Sequence, residues 1–137
     1  MKSTIRALSA LLTVVVLSML THTIAFGRDG TSFTVARMVV CEGIENREPV
    51  GVQETFPLSI SSVYCFLEAK DIDADTEVRF VWSHEGIQRA IVPLQLRKGM
   101  RWRTYSSKKL GNWKGNWTVE LQDAEGTAIK TVQFTVE

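Results

Sequence analysis

Residues 77–96 read EVRFVWSHEGIQRAIVPLQL, and their pattern predicts a β-hairpin. Apolar and polar side chains alternate through the first half, as in a strand with one buried face. A turn at His84-Glu85-Gly86 then leads into a second run of strand character, which indicates two antiparallel strands. The side chains predicted to lie on the buried face of the first strand are Val78, Phe80 and Trp82.

The same strand periodicity continues through the chain from Ser32 to Val136. Short runs of β-branched and aromatic residues are bounded by Gly, Pro, Asn or Asp, and no long stretch has helical periodicity. Seven predicted strands about ten residues apart indicate an all-β, two-sheet antiparallel sandwich of immunoglobulin-like type, with a small barrel as the alternative. The stretch from Glu42 to Ser61, which contains two prolines, is predicted to be irregular and to wrap the edge of the sandwich. The seven predicted strands are residues 32–41, 62–69, 77–83, 87–96, 100–106, 116–122 and 127–136.

The first 27 residues have the composition of an export signal. Two positive charges precede an apolar run from Ala7 to Leu20, and cleavage is expected after Ala25 or Gly27. The alternative is an uncleaved inner-membrane anchor, because residues 7–26 carry no formal charge and approach the length of about 20 residues that spans a bilayer. Under either interpretation, residues 28–137 form one domain that lies in the periplasm or outside the cell. Membrane contact is expected only through the N-terminal segment, if it is uncleaved.

The exported part has an almost balanced charge. Removal of Lys2 and Arg6 from the 16 basic residues leaves 14, against 15 acidic ones. A nucleic-acid partner is therefore not expected. About 110 residues suffice for one hydrophobic core, which predicts a single domain.

Cys41 and Cys65 are the two cysteines of the chain. An even number of cysteines in an exported protein favours a disulfide, which would stabilise the fold by about 3.5 kcal/mol in the chain-entropy treatment. If both cysteine-bearing strand faces point inward, such a bridge is geometrically possible. The alternative is two buried thiols that pack as small apolar groups. The faces are predicted to carry Phe33, Val35, Val39 and Cys41 in one strand, and Val63, Cys65, Leu67 and Ala69 in the other.

Several short strings, spread in order over residues 33–137, resemble a known bacterial family, the domain-of-unknown-function family 2914. The resemblance implies an all-β domain found in bacterial envelope proteins, and it implies no activity. The strings are CEGIENREP at Cys41–Pro49, YCF at Tyr64–Phe66, RWRTYSSK at Arg101–Lys108, GNW at Gly115–Trp117 and FTV at Phe134–Val136.

A basic and aromatic stretch between Arg97 and Lys114 is the strongest candidate for a binding surface. It holds seven basic residues and no acidic one, with three aromatic residues interleaved. Such groups bind anionic glycans or protein partners, and the alternative is a solvated strand face whose arginines stack on core tryptophans. Trp82, Trp102 and Trp117 are predicted in the core. The residues predicted to contact a ligand are Arg101, Arg103, Tyr105, Lys108 and Trp113.

The string Asn46-Arg47-Glu48-Pro49 has two interpretations. Arg47 and Glu48 belong to a recognition loop in the first, since a guanidinium group takes a carboxylate or phosphate in bidentate fashion. In the second, an Arg-Glu pair fastens the long irregular segment to the sandwich.

No catalytic or metal-binding set stands out. His84 is the histidine of the exported part, and no nucleophile motif accompanies it. The acidic run Asp71–Glu77 lacks the glycine of a calcium loop, which favours a solvated turn. We therefore expect a non-catalytic interaction domain of the bacterial envelope without a cofactor, whose partner is an envelope protein or an anionic glycan. The alternatives are a small hydrolase or metal-dependent enzyme that uses His84, and a structural subunit that assembles through strand edges.

Overall fold

Nine strands run through residues 31–137, the part of the chain that the computed structural model describes. All seven predicted strands are present, and the two additional ones lie in the segment predicted to be irregular. The prediction of an irregular segment was therefore wrong for β2 and β3. The predicted export signal at residues 1–27 lies outside the described residues. No helix within the described part is long and apolar enough to cross a membrane. The strands are β1 (Thr34–Glu45), β2 (Glu48–Val52), β3 (Thr55–Phe56), β4 (Ser62–Ile72), β5 (Thr76–His84), β6 (Ile87–Leu96), β7 (Gly99–Lys109), β8 (Gly115–Gln122) and β9 (Ala128–Val136).

The strands form a two-sheet sandwich, as predicted. One sheet has the order β2-β1-β4-β7 and the other the order β3-β9-β8-β5-β6. All pairs are antiparallel except β3 with β9. Without β2 and β3, the first sheet has three strands and the second has four, with β6 at the edge of the second sheet, which is an immunoglobulin-like arrangement. The predicted hairpins β5–β6 and β8–β9 are both confirmed.

The segment between β1 and β4 joins the edges of the two sheets. β2 extends the first sheet beyond β1, and β3 extends the second sheet beyond β9. Backbone bonds hold the crossing in place: Leu58 N donates to Glu137 O at 2.6 Å, and Thr135 N donates to Glu54 O at 2.8 Å. The segment therefore wraps the sandwich edge as expected, but it does so as paired strands.

The core lies between the two sheets and is aromatic at its centre. Trp82 and Trp117 are fully buried, and the indole Nε1 of Trp82 donates to Ser106 Oγ at 3.1 Å. Trp102 packs against the margin of this core, so the three predicted core tryptophans are confirmed. Burial of such large side chains contributes strongly to the apolar stabilisation, because the benefit scales with the area removed from water.

A β-bulge in β1 reverses part of the predicted face. The register between β1 and β4 shifts between Val35 and Arg37, and beyond it Met38 and Val40 enter the core. The prediction that Val39 and Cys41 share the inner face with Val35 was therefore wrong. A bulge inserts one unpaired residue, and a shift of one residue moves every following side chain to the opposite face.

The predicted disulfide is absent for the same reason. Cys41 and Cys65 are both buried and free. Val40 pairs with Cys65 and Cys41 with Tyr64, so the two thiols leave neighbouring strands towards opposite faces of the sheet. A bridge requires Cβ vectors that point towards each other. Burial raises the pKa of both thiols, which keeps them protonated at neutral pH.

Candidate binding groove

The outer face of the β2-β1-β4-β7 sheet carries a row of polar and aromatic side chains on β7. Arg103 pairs with Glu68 across the ladder, and Tyr105 pairs with Phe66. Paired residues share a face of the sheet, so the alternate residues Arg101, Arg103 and Tyr105 all lie opposite the core. The strand alternation predicted from the sequence for β7 is confirmed.

The β1–β2 hairpin folds back over this outer face. Arg37 Nη2 lies 2.7 Å from Glu48 Oε2, although Glu48 pairs with Glu45 at the far end of β1. A straight strand would separate Arg37 from Glu45 by about 26 Å, so β1 has to bend for the contact to form. The bend places the hairpin tip above the sheet and covers Cys41 and Phe66, which are almost fully buried.

The hairpin tip is a two-residue turn with unusual backbone angles. Asn46 has φ of 50° and Arg47 has φ of 62°. Two consecutive positive φ values define the primed turn that matches the twist of a hairpin, and glycine is the preferred second residue. An arginine in the left-handed region is strained by about 1–2 kcal/mol relative to the usual backbone conformation.

An ion-pair network fastens the tip to the sheet. Arg37 Nη2 donates to Glu48 at 2.7 Å and to Glu68 Oε2 at 2.9 Å. Arg103 Nη1 donates to Glu48 Oε1 at 2.7 Å, and Arg101 Nε lies 3.3 Å from Glu68 Oε1. Arg37 also lies over the Phe66 ring, with 4.9 Å between Cζ and the ring centroid. The network thus connects β1, β2, β4 and β7. We name its five charged residues the clamp: Arg37, Glu48, Glu68, Arg101 and Arg103.

The clamp keeps both carboxylates ionised. Hydrogen bonds from Arg37 and Arg103 hold the pKa of Glu48 below its ordinary value. Burial raises the pKa of Glu68, but the hydrogen bonds and charges of Arg37 and Arg101 outweigh it, and the net shift is downward. The same bonds to Glu48 and Glu68 raise the pKa of Arg37. Arg37, Glu48 and Glu68 are therefore charged at neutral pH.

A groove of about 660 Å³ lies between the hairpin tip and β7. Phe66 of β4 lies at its floor, Ile44 and Arg47 line the hairpin side, and residues 101–105 line the opposite side. Tyr105 is half exposed there and packs against Tyr64 with 5.9 Å between ring centroids. We call this space the outer-face groove. It combines guanidinium groups with aromatic surface, which suits an anionic ligand with some apolar character.

The structure brings five of the predicted contact residues together and leaves two apart. Glu48 serves as the fastening residue of the second interpretation, but its partners are Arg37 and Arg103. Arg47 makes no ion pair within residues 31–137 and lines the groove, as in the first interpretation. Lys108 lies beyond the groove on β7, where its Nζ donates to Lys109 O. The five residues at the groove or clamp are Arg47, Glu48, Arg101, Arg103 and Tyr105.

Three residues of the site were not predicted from the sequence: Arg37, Phe66 and Glu68. Arg37 had a detectable signal, because it was the one charged residue on a strand face otherwise predicted to be apolar. Phe66 and Glu68 looked like the solvent side of an ordinary strand. Their role depends on the folded-back hairpin, which no local pattern reveals.

Trp113 belongs to a separate aromatic stack, in the loop before β8. Arg89 Cζ lies 4.1 Å above the centroid of its ring, and Trp117 stacks at 6.1 Å. The ring is 42% exposed. Trp113 therefore has a guanidinium partner and aromatic neighbours of its own, and it is not among the residues that line the groove.

His84 is part of the same stack. Its ring centroid lies 4.8 Å from that of Trp117 and 5.4 Å from that of Trp113, and its Nε2 lies 2.7 Å from Lys114 O. The neighbouring Glu85 accepts a bond from Asn116 N and so fixes the loop before β8. Both side chains have structural partners in this arrangement.

The acidic run before β5 is tied into turns. Asp73 Oδ1 accepts from Ser32 N at 2.9 Å, and Asp75 Oδ1 accepts from Lys98 N at 2.8 Å. Arg97 also lies 3.2 Å from Asp75, and the bond from Lys98 followed by that from Arg97 lowers the pKa of this carboxyl group. Within residues 31–137, no three His, Cys, Asp or Glu side chains are grouped as metal ligands.

Residues 75–136 match the model of the family described as "Protein of unknown function (DUF2914)". This stretch belongs to domain-of-unknown-function family 2914. The match covers β5 to β9, including the β7 side of the groove, while two of the strings that suggested the resemblance, at residues 41–49 and 64–66, precede it. Among curated protein sequences, none matches the chain.

Solved structures share the sandwich fold of this chain. A β-glucosidase from Erythrobacter marinus superposes with a TM-score of 0.53 at 8% identity, over 78% of this chain and 16% of that one. A β-glucosidase of saponin metabolism from intestinal bacteria gives 0.52 at 12% identity, again over 78% and 16%. The chain thus spans about one sixth of the enzymes it resembles, and the similarity concerns the sandwich alone.

Proposed function

We propose that this chain is an exported, non-catalytic binding domain of the bacterial cell envelope that holds carboxylate-bearing ligands in the outer-face groove. The observation that carries the proposal is the convergence of arginines from two strands, β1 and β7, and from the β1–β2 turn on one groove. An envelope protein and an anionic glycan share the carboxylate chemistry that such a groove recognises. The export-like composition of residues 1–27 and the family resemblance support the location.

The charge balance of the groove favours an anion. Four arginines, at positions 37, 47, 101 and 103, surround two glutamates, which leaves a local charge of +2. The clamp glutamates are saturated by their own arginines, so they do not compete for the guanidinium of Arg47. The Arg47 guanidinium, which has no ion-pair partner among the described residues, and the half-exposed ring of Tyr105 line the same groove and offer a bidentate anchor and a stacking surface to one ligand.

The strained backbone at Arg47 supports the same conclusion. Glycine would fit the positive φ without strain, yet a long charged side chain stands at the tip. Strained residues cluster at ligand-binding positions, where the gain in function offsets the loss in stability. Arg47 is therefore the residue of the hairpin that we assign to ligand contact.

Binding is favoured over turnover by the state of the groove's ionisable groups. The two carboxylates nearby are held ionised by their arginine partners and so are poor proton donors at neutral pH. The remaining lining side chains include arginine, tyrosine, phenylalanine and isoleucine, which are typical of recognition surfaces.

The test is retention of carboxylated polymers by the full chain in a non-ionic detergent. Immobilised protein is exposed to polygalacturonate, polyglutamate and neutral dextran, and retention is measured at low and high salt. We expect the wild type to retain at least one carboxylated polymer at low salt, and the double variant Arg47→Gly, Tyr105→Ser to lose it. Lys130→Gln, which removes one exposed charge from the other sheet, is the matched control. Equal retention by the wild type and the double variant contradicts the proposal.

A further inference from the structure

We infer that the occupant of the outer-face groove is an extended acidic polypeptide segment that adds as a strand to the free edge of β7. The inference rests on the proposed function and names the partner class of the same site. In strand addition, main-chain hydrogen bonds provide affinity, and pockets for alternate side chains provide specificity. β7 and the groove together offer both elements.

The edge of β7 is open and long. β7 spans 11 residues and ends the order β2-β1-β4-β7, so it has one strand neighbour among the described residues. Half of its backbone N–H and C=O groups point away from that neighbour, as in any edge strand. Met100 on this strand is 84% exposed, which is consistent with an uncovered margin.

The other sheet edges are less suited to an incoming strand. β3 has two residues, and β2 has five with Pro49 among them. β6 is ten residues long but contains Pro93. Proline removes a donor and short strands offer few bonds, which are the usual means of protecting an edge. β7 contains no proline.

The groove lies along the backbone of β7 and not only over its side chains. Five consecutive residues, 101–105, line it. Successive side chains of a strand point to opposite faces, and Trp102 packs towards the core. The contribution of consecutive residues therefore includes the main chain between Arg101 and Tyr105. A peptide beside this strand would reach the groove with every second side chain.

The charge of β7 specifies the partner's chemistry. The strand carries four cations, at positions 101, 103, 108 and 109, and no acidic residue. A second copy of β7 would place like charges opposite each other, which is unfavourable across a strand pair. A strand with acidic residues at alternate positions would instead direct its carboxylates towards Arg47 and towards Arg101 and Arg103 of β7.

The experiment uses the full chain in non-ionic detergent and two fluorescent ten-residue peptides of alternating Glu and Thr. One peptide has a normal backbone, and in the other every backbone amide is N-methylated, which keeps the carboxylates but blocks main-chain pairing. We expect the normal peptide to bind at least about tenfold more tightly, since several main-chain bonds are lost in the other. Hydrogen exchange of β7 amides should slow on binding. Arg47→Gly should weaken binding, and Lys130→Gln should not.

Two results would overturn the inference and leave the proposed function intact. Equal affinity for both peptides means that the groove binds carboxylate groups without the addition of a strand to β7. Retention of polygalacturonate with no binding of either peptide identifies a glycan as the partner class. If the protein binds neither the peptides nor any carboxylated polymer, the proposed function fails together with the inference.

Discussion

The two faces of the β2-β1-β4-β7 sheet are built from the same strands and are both covered, but by different means. The inner face buries Leu67, Cys65 and Val63 against the second sheet in an apolar core. The outer face buries Phe66 and most of Glu68 under a folded-back hairpin fastened by ion pairs. Apolar burial stabilises the fold but is not directional, whereas the clamp fixes one orientation of the hairpin over the sheet and leaves a groove open beside it. The inner face therefore maintains the fold, and the outer face carries the groove that we propose for recognition.

Truncation of a side chain on the inner face should give the largest change in stability. Leu67→Ala removes a fully buried side chain and leaves a cavity, so we expect a loss of about 2–5 kcal/mol in the free energy of unfolding. Tyr105→Ala on the outer face should lose less than about 1 kcal/mol, because the ring is half exposed. Urea unfolding followed by tryptophan fluorescence measures both. Similar losses for the two variants would contradict the division between the faces.

Removal of a clamp charge should give an intermediate change. Glu68→Gln leaves Arg37 and Arg101 with a neutral partner at a side chain that is 8% exposed. We expect the free energy of unfolding to fall by about 1.5–3 kcal/mol, the usual range for a hydrogen bond to a charged group. Glu125→Gln, in an exposed turn, is the control and should change little. If both substitutions have the same effect, the clamp does not fasten the hairpin.

Acid should weaken the outer face selectively. The pKa values of Glu48 and Glu68 are lowered in the folded state, so their contribution to stability is present above the ordinary carboxyl pKa of 4.5 and is lost as the pH falls below it. The urea concentration at the midpoint of unfolding should therefore stay constant from pH 7 to about pH 5 and fall towards pH 3. Arg37→Gln should reduce this slope. An unchanged slope would show that other carboxyl groups, such as Asp75, dominate the acid response.

Relief of strain at the hairpin tip should give the smallest change, and of opposite sign. Arg47→Gly places glycine at a φ of 62° and leaves the clamp intact. We expect the free energy of unfolding to rise or stay level, within about 1 kcal/mol, because relief of strain outweighs the greater freedom of glycine in the unfolded chain. Asn46→Ala, at the other positive φ, should destabilise. A marked loss of stability in Arg47→Gly would mean that its side chain is structural.

The sandwich was predictable because its strands obey a local rule, and the groove was not because it depends on distant contacts. Alternation identified β4, β5, β7 and β8 with their buried faces, including Trp82 and Trp117. It failed at β1, where one bulged residue near Arg37 inverts the face and separates Cys41 from Cys65. A bulge has no reliable sequence pattern, and the bond from Arg37 to Glu68 joins residues 31 positions apart. The β7 arginines were found because basic and aromatic residues are concentrated there.

The assignment of ligand recognition to the outer face is tested most directly by locating a bound carboxylate on the molecule. Backbone amide chemical shifts of the isotopically labelled full chain in non-ionic detergent are followed during titration with hexaglutamate and with trigalacturonate. We predict that at least one probe shifts the amides around Arg47, Phe66 and residues 101–105, and that Arg47→Gly reduces these shifts. Shifts confined to the loop of Trp113 and Lys114, or an absence of saturable shifts with both probes, would contradict the assignment of recognition to the outer face.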